Sequence, residues 1–300
     1  MSQPIVAGHE LRIPGSVSNL GPGFDTLSVA VQVYLHVRVA GIRPEAPDTI
    51  ETTFAGAAPG GDNRIETAFR HARARIGRPT PGVRLEVRSE IPTRAGLGSS
   101  GAATVAGLRL YEQLTAPIPV EQLLALASDV EGHPDNAAAS HLGGLTVSCQ
   151  QDDGQVLARS WAWPADIQIV VATPDAELET AHARRVLPTE ITMRDAIFNL
   201  QRALQLVHAL GSGQYGDLRE ALRDRWHQPA RAVLVPGLSD ALELRDEAVL
   251  GACLSGAGPS IVMFTAGRAA EARTRLGDIY QRLGMASTIR VLAAHQPAVS

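Results

Sequence analysis

The apolar positions of this 300-residue chain follow two periods, and the alternation between them lays out its elements. Val29, Val31, Val33, Leu35, Val37 and Val39 recur at every second place, which predicts a long strand over residues 28–40. Residues 41–64 carry Pro and Gly repeatedly and read as a loop holding one short strand. A helix is expected over 65–77, closed by Gly77 with Pro79 and Pro81 beyond it. Residues 83–88 alternate again. The spacing then predicts a helix over 98–114, broken by Pro117 and Pro119, and a second over 120–130. That helix runs into a polar turn, Glu131-Gly-His-Pro-Asp-Asn136, which leads into an alanine-rich segment and Gly143-Gly144. Around 150–165 the composition changes. Gln150 to Gly154 reads as a hairpin turn, and a buried-type strand follows over 167–172. Helices are expected over 192–210, 215–225, 239–248 and 267–283, with strands over 261–265 and 287–294. Strands with flanking helices make an α+β pattern, divided near 160 into units of 1–160 and 161–300.

Composition narrows the picture. Hydrophobic content of 45% with 19% charge suits a soluble protein with a substantial core. A net charge of −4 and scattered arginines give no attraction for nucleic acid or for an anionic membrane. No apolar run approaches the roughly 20 residues of a membrane span. The first residues, Met-Ser-Gln-Pro, do not resemble a secretory leader. Cys149 and Cys253 lack metal-type spacing and fit a reducing compartment, so the cytoplasm is the expected location. The chain contains no lysine: all 27 basic residues are arginine. A Walker A loop and a protein-kinase active site both require lysine, so both are excluded.

Residues 92–103, Pro-Thr-Arg-Ala-Gly-Leu-Gly-Ser-Ser-Gly-Ala-Ala, place three glycines and two hydroxyls at the mouth of an apolar helix. Such a turn exposes backbone N–H groups beside a helix N-terminus, a cradle for phosphate. Gly96, Gly98 and Gly101 also satisfy the dinucleotide pattern G-x-G-x-x-G. That fingerprint requires a strand running directly into the first glycine, whereas Ser89 to Ala95 intervene here. A structural glycine corner is the plainer alternative, and it would leave Ser99 and Ser100 without a purpose. Elsewhere the plain readings are also in play. Asn19 and Asp25 sit in a Gly/Pro-rich turn that Asx geometry alone would explain. Capping would explain Asp135 and Asn136, and His133 alone is more often a structural hydrogen-bonder than a catalyst. The functional alternative for Asn19 and Asp25 is an amide for a hydroxyl and a carboxylate for an ammonium group.

Four segments together resemble the homoserine kinases of the GHMP kinase superfamily. They are Pro14-Gly-Ser-Val-Ser-Asn-Leu-Gly-Pro-Gly-Phe-Asp25, the loop at 92–103, Glu131-Gly-His-Pro-Asp-Asn136, and Leu254-Ser-Gly-Ala-Gly-Pro-Ser260. The loop points to the superfamily; the first and third segments point to the homoserine branch. The resemblance implies a two-domain α+β fold, an N-terminal βα domain with the phosphate loop and a C-terminal ferredoxin-like domain. It implies transfer of phosphate from ATP to the side-chain hydroxyl of L-homoserine, a step toward threonine, with Mg²⁺ as cofactor.

By the same resemblance, ATP binds Pro92, Thr93, Arg94, Ala95, Gly96, Leu97, Gly98, Ser99, Ser100, Gly101 and Ala102, with Asn63 near the adenine. Glu131 and a loop serine, Ser99 or Ser100, hold the metal, with Ser99 the first choice. Asn19, Asp25, His133, Asn136, Thr180, Arg184 and Arg231 form the homoserine pocket. The two arginines clamp the substrate carboxylate, although Arg185 stays open as an alternative to Arg184. Glu131, Asp135 and Asn19 carry the catalytic expectation, with Asp135 as general base left open against catalysis by positioning alone. Segment 251–260 is expected to close over the site. Ser18 and Gly101 each replace a usual alanine. The readings kept beside this one are a kinase for another small alcohol, such as threonine or an isoprenoid precursor, and a catalytically silent binding protein on the same fold. The sequence leaves the oligomeric state open; a homodimer is the macromolecular partner considered.

Overall fold

The computed structural model describes residues 6–56 and 62–298; Met-Ser-Gln-Pro and part of the 41–64 loop therefore lie outside the described residues. Six strands, β1 (Glu10–Ser18), β2 (Leu27–Arg43), β3 (Ile50–Phe54), β4 (Gly82–Ser89), β5 (Leu145–Gln150) and β6 (Val156–Trp161), form the first sheet. Its order is β3-β4-β2-β5-β6, with β1 paired to β2. Only β3 and β4 run parallel. Helices α1 (Arg64–Ile76), α2 (Ser99–Leu114), α3 (Val120–Glu131) and α4 (Asp135–Leu142) accompany this sheet.

The second sheet contains β7 (Ile167–Pro174), β8 (Gly251–Leu254), β9 (Ile261–Ala266) and β10 (Ser287–Leu292), all antiparallel in the order β10-β7-β9-β8. Helices α5 (Thr180–Arg185), α6 (Met193–Ser212), α7 (Leu218–Ala221), α8 (His227–Arg231) and α9 (Leu238–Glu243) lie between β7 and β8, and α10 (Ala269–Arg282) joins β9 to β10. Counted within this half the order is 4-1-3-2, the ferredoxin-like arrangement expected. The larger apolar cluster is continuous across both sheets, from Val29, Leu85 and Leu108 to Ile169 and Phe264. Trp163 sits at the passage between them, its ring 5.5 Å from that of Phe264 and its Nε1 donating to the Ile167 carbonyl. Among the described residues no helix is long and apolar enough to cross a membrane.

The structure departs from the sequence expectations in several places. Residues 14–18 belong to β1, which pairs with β2 over its whole length and shifts register between Pro14 and Gly15. The helix expected over 215–225 is a 3₁₀ turn at Tyr215–Asp217 followed by the short α7. The helix expected over 239–248 stops at Glu243. The short α5 and α8 had no periodic signal, yet each carries an arginine of the cleft described next.

Candidate active site

Leu97 and Gly98 bring the chain from β4 to α2 through a corner that only glycine allows. Gly98 adopts φ +72°, and a Cβ there would lie 2.2 Å from Ser16 Oγ. At Gly96 (φ +77°) a Cβ would meet the Ser255 carbonyl at 2.3 Å. A side chain at either place costs roughly 1–2 kcal/mol in backbone conformation before any clash. The corner is pinned from both sides: Ser16 N–H donates to the Leu97 carbonyl (3.1 Å) and Ser255 Oγ to the Gly96 carbonyl (2.6 Å). α2 starts with Gly98 at its N-cap, no side chain capping it and no acidic residue in its first turn. Its positive end therefore opens on the cleft with no acidic residue of its own in the first turn, an arrangement suited to an anion.

Around this helix mouth lies a cavity of about 230 Å³. Most of the expected site residues line it: Arg94, Ala95, Gly96, Gly98, Ser99, Ser100 and Gly101 from the loop, Glu131, His133, Asp135 and Asn136 from the polar turn, and Asn19, Asp25, Thr180, Arg184 and Arg231 from elsewhere. Pro92, Thr93, Leu97, Ala102 and Asn63 are not on its wall. Leu97 and Ala102 are core residues instead. Asn63 caps α1, accepting from Ile65 N–H and donating to Glu66. Arg64, Gly256 and Ala257 line the cavity without having been singled out as contacts.

Glu131, the last residue of α3, accepts hydrogen bonds from Ser100 Oγ (2.9 Å) and Thr104 Oγ1 (2.6 Å). The structure thus joins the carboxylate to Ser100 where the first choice was Ser99, and adds a threonine one turn further along α2. A carboxylate with two hydroxyls is an all-oxygen donor set, which fits Mg²⁺. Two residues beyond Glu131, His133 Nδ1 lies 2.7 Å from Asp135 Oδ1, with Asp135 almost fully buried. Burial disfavours charge on His133, but the hydrogen bond and the charges of Asp135 and Asp25 outweigh it and hold its pKa above the ordinary value. Asp25, His133 and Asp135 together form a further close cluster of possible metal-ligating groups.

The opposite wall holds a pair of opposite charges. Arg184 on α5 donates Nη2 and Nη1 to the two carboxylate oxygens of Asp25, at 2.8 and 3.0 Å, a bidentate fork. Arg184, not Arg185, reaches the cleft. Arg231 is almost completely buried; its Nη1 donates to the Gly256 carbonyl (3.0 Å) and its Nε to the Ala183 carbonyl (3.2 Å). Burial, then the neighbouring Arg184, pulls its pKa down to about 10, which leaves it protonated at neutral pH. Phe24 lies between the two guanidinium groups, 5.4 Å from Arg184 and 5.2 Å from Arg231, and its ring attracts both.

Behind Arg231 stands a network that sequence reasoning missed. His227 is buried and kept neutral by that burial, so Nε2 donates to the Gly21 carbonyl (2.7 Å) and Nδ1 accepts from Arg231 (3.2 Å). Asp224 accepts from Asn199 and from the N–H groups of Trp226 and Gln228, which fixes the start of α8. No periodicity in the sequence marks these residues.

Asn19 (φ +73°) accepts from Asp25 N–H and donates to the Gly256 carbonyl. The turn between β8 and β9 thereby touches the glycine corner, Asn19 and Arg231 at once. Asn136 accepts from both Ser16 Oγ (2.8 Å) and Ser18 Oγ (2.7 Å), and Ser28 Oγ donates to Ser18 (2.7 Å). At Gly101 a Cβ would approach Asn136 Cβ to 2.9 Å. The two departures from alanine, at 18 and 101, therefore meet at the same asparagine.

The model for the GHMP kinases N terminal domain matches residues 63–144, and that for the GHMP kinases C terminal matches residues 206–281. The chain is similar to the homoserine kinase of Moorella thermoacetica, 36% identical over 289 residues, covering 94% of this chain and 96% of the relative. It is 42% identical over 267 residues to the homoserine kinase of Solibacter usitatus, covering 85% and 84%. The crystal structure of homoserine kinase from Cytophaga hutchinsonii superposes with a TM-score of 0.82 at 26% identity, covering 99% of this chain and 98% of that one.

Proposed function

The chain belongs to the homoserine kinases of the GHMP kinase family, and on that premise we propose that the cleft transfers the γ-phosphoryl group of ATP to the side-chain hydroxyl of L-homoserine. The observation that carries the reading is the Asp25–Arg184 pair, a carboxylate and a guanidinium hydrogen-bonded only to each other among the described residues and facing an uncapped helix mouth across one cavity. A zwitterionic amino acid offers each of these groups a replacement partner, ammonium for Asp25 and carboxylate for Arg184. The two charges of the pair cancel, and a zwitterion between them brings no net charge.

In this reading residues 1–160 supply the nucleotide side and residues 161–300 the two arginines for the acceptor carboxylate. ATP phosphates lie against the backbone N–H groups of Gly96 to Gly101 and the first turn of α2. Glu131 with Ser100 or Thr104 would hold Mg²⁺, which would supply the main counter-charge for the triphosphate in a chain without a lysine. Asp25 orients the ammonium group of homoserine, while Arg184 and Arg231 orient its carboxylate. Asn19 and Asn136 lie where they can hold the hydroxyl; the latter is fixed by Ser16 and Ser18.

Asp135 is a positioning group here. Its Oδ1 is already engaged by His133, and phosphoryl transfer with a loose transition state needs little assistance in removing the hydroxyl proton. The test is side-by-side turnover of ATP with L-homoserine, L-threonine and R-mevalonate. Homoserine is expected to give the highest kcat/KM. A preference for mevalonate would refute the zwitterion argument, and retained ATP binding with no turnover on any acceptor would refute the enzyme itself.

A further inference from the structure

β1, α2 and α4 each bring one end to the cleft. Their other ends meet again around a second cavity of about 360 Å³, outside the site already described. Arg109 and Gln113 reach it from α2, Ser140 and His141 from the end of α4, and His9 and Arg12 from the start of β1. Arg109 lies nine residues along α2 from Ser100, or about 14 Å at helical rise.

This cavity holds an excess of unmet polar groups. Ser140 is 3% exposed, and its Oγ has no hydrogen-bond partner among the described residues. His9 Nε2 and Gln113 Oε1 are buried without partners as well, so three residues on one wall share this condition. A buried polar atom left unpaired costs about 1–3 kcal/mol, which a bound polar ligand would relieve.

Two guanidinium groups stand beside these atoms, and one of them is free of any carboxylate among the described residues. Arg12 makes no ion pair among the described residues; its guanidinium lies over the Tyr34 ring, 3.5 Å from the centroid. Arg109 adds a second guanidinium, shared with Glu112 at 2.5 Å. The one carboxylate on the wall, Glu10, is taken up by His36 at 2.7 Å. Burial and Arg109 pull His141 down to about 4, and burial and Arg12 lower His295, so both imidazoles are neutral at neutral pH and can donate an N–H without adding charge.

We propose that this cavity is a second anion site, taking a small oxyanion of the phosphate class. Guanidinium, imidazole and hydroxyl donors converge from three elements, which suits a tetrahedral group with several acceptor oxygens. Hydrogen phosphate also carries one O–H, a donor for Gln113 Oε1 that a carboxylate lacks.

The test is calorimetric titration of inorganic phosphate into the full chain, with the catalytic cleft saturated by a non-hydrolysable ATP analogue, Mg²⁺ and homoserine. One phosphate per chain is expected. Arg12→Gln, at an exposed position on the cavity rim, should weaken it by about tenfold, the scale of one charge-assisted bond. Ser140→Ala should weaken it too, while kcat/KM for homoserine in phosphate-free buffer stays at the wild-type value in both variants. Absence of binding to the saturated enzyme, or equal affinity in wild type and both variants, would overturn the proposal.

Discussion

Replacing Arg184 with alanine separates the two charges that the cleft offers to a zwitterion. In the empty cleft the guanidinium makes two hydrogen bonds to Asp25, but the side chains are 36% and 30% exposed. Solvent screening brings such a pair toward the surface value of about 0.2–1 kcal/mol, so opening it costs little. Against a substrate carboxylate the fork is worth more. Hydrogen bonds to charged groups contribute about 1.5–3 kcal/mol, which predicts a 10- to 100-fold loss of kcat/KM for homoserine in Arg184→Ala. The ATP response should stay unchanged. A second acceptor makes the test specific: 3-aminopropan-1-ol keeps the ammonium and hydroxyl groups and lacks the carboxylate. Its use should hold or improve in the variant, because Asp25 is released from its partner. The assay is ADP release followed by a coupled-enzyme readout for both acceptors. Equal losses on the two would assign Arg184 a structural role. An unchanged kcat/KM for homoserine would remove the clamp altogether.

Further outcomes follow from the same geometry. Ser100→Ala should lower kcat and raise the Mg²⁺ requirement more than Ser99→Ala, since only Ser100 is bonded to Glu131; the reverse ranking in a Mg²⁺ titration would move the metal to Ser99. Gly98→Ala should lower the Tm by several degrees and weaken ATP, because it combines a left-handed backbone with a Cβ 2.2 Å from Ser16 Oγ; wild-type Tm and ATP affinity would contradict the tight corner. His133 has a pKa raised in the folded state, so the stability it lends is fully present below its unfolded value and is lost as pH rises through the folded one. The stability gap between wild type and Asp135→Asn should therefore be widest in mild acid, just below the unfolded imidazole value, and narrow above the raised one, read by thermal melts across pH; a gap independent of pH would dissociate the pair. Turnover of Asp135→Asn should fall by less than the about 10²–10⁴ expected on removing a general base, and a larger loss would restore that role to Asp135.

How much of this was legible in the sequence depends on the kind of signal each element carries. β2, α1 and α2 announce themselves by period because one face of each is buried continuously. β1 does not, since Pro14, Gly15, Ser16 and Ser18 interrupt its apolar pattern. It is a strand because its backbone pairs with β2 and its serines face a buried polar network, a tertiary cause that leaves no local mark. The short helices α5 and α8 are equally silent, at 6 and 5 residues, so their arginines were found by resemblance and not by pattern. The glycine corner was legible because steric need restricts which residues can occupy it. Asn63 was misplaced for the opposite reason: an asparagine before a helix is a cap first, and here it caps α1. The support behind Arg231, from Asp224 to His227, is a set of contacts between distant segments that one sequence does not encode visibly.

The most direct measurement is a crystal structure of the chain with a non-hydrolysable ATP analogue, Mg²⁺ and L-homoserine. The account predicts the triphosphate against the Gly96–Gly101 backbone, with the Asp25–Arg184 fork opened and homoserine bridging the two, ammonium to Asp25 and carboxylate to Arg184. A nucleotide bound away from that corner, or a fork still closed with homoserine lying elsewhere, would contradict it.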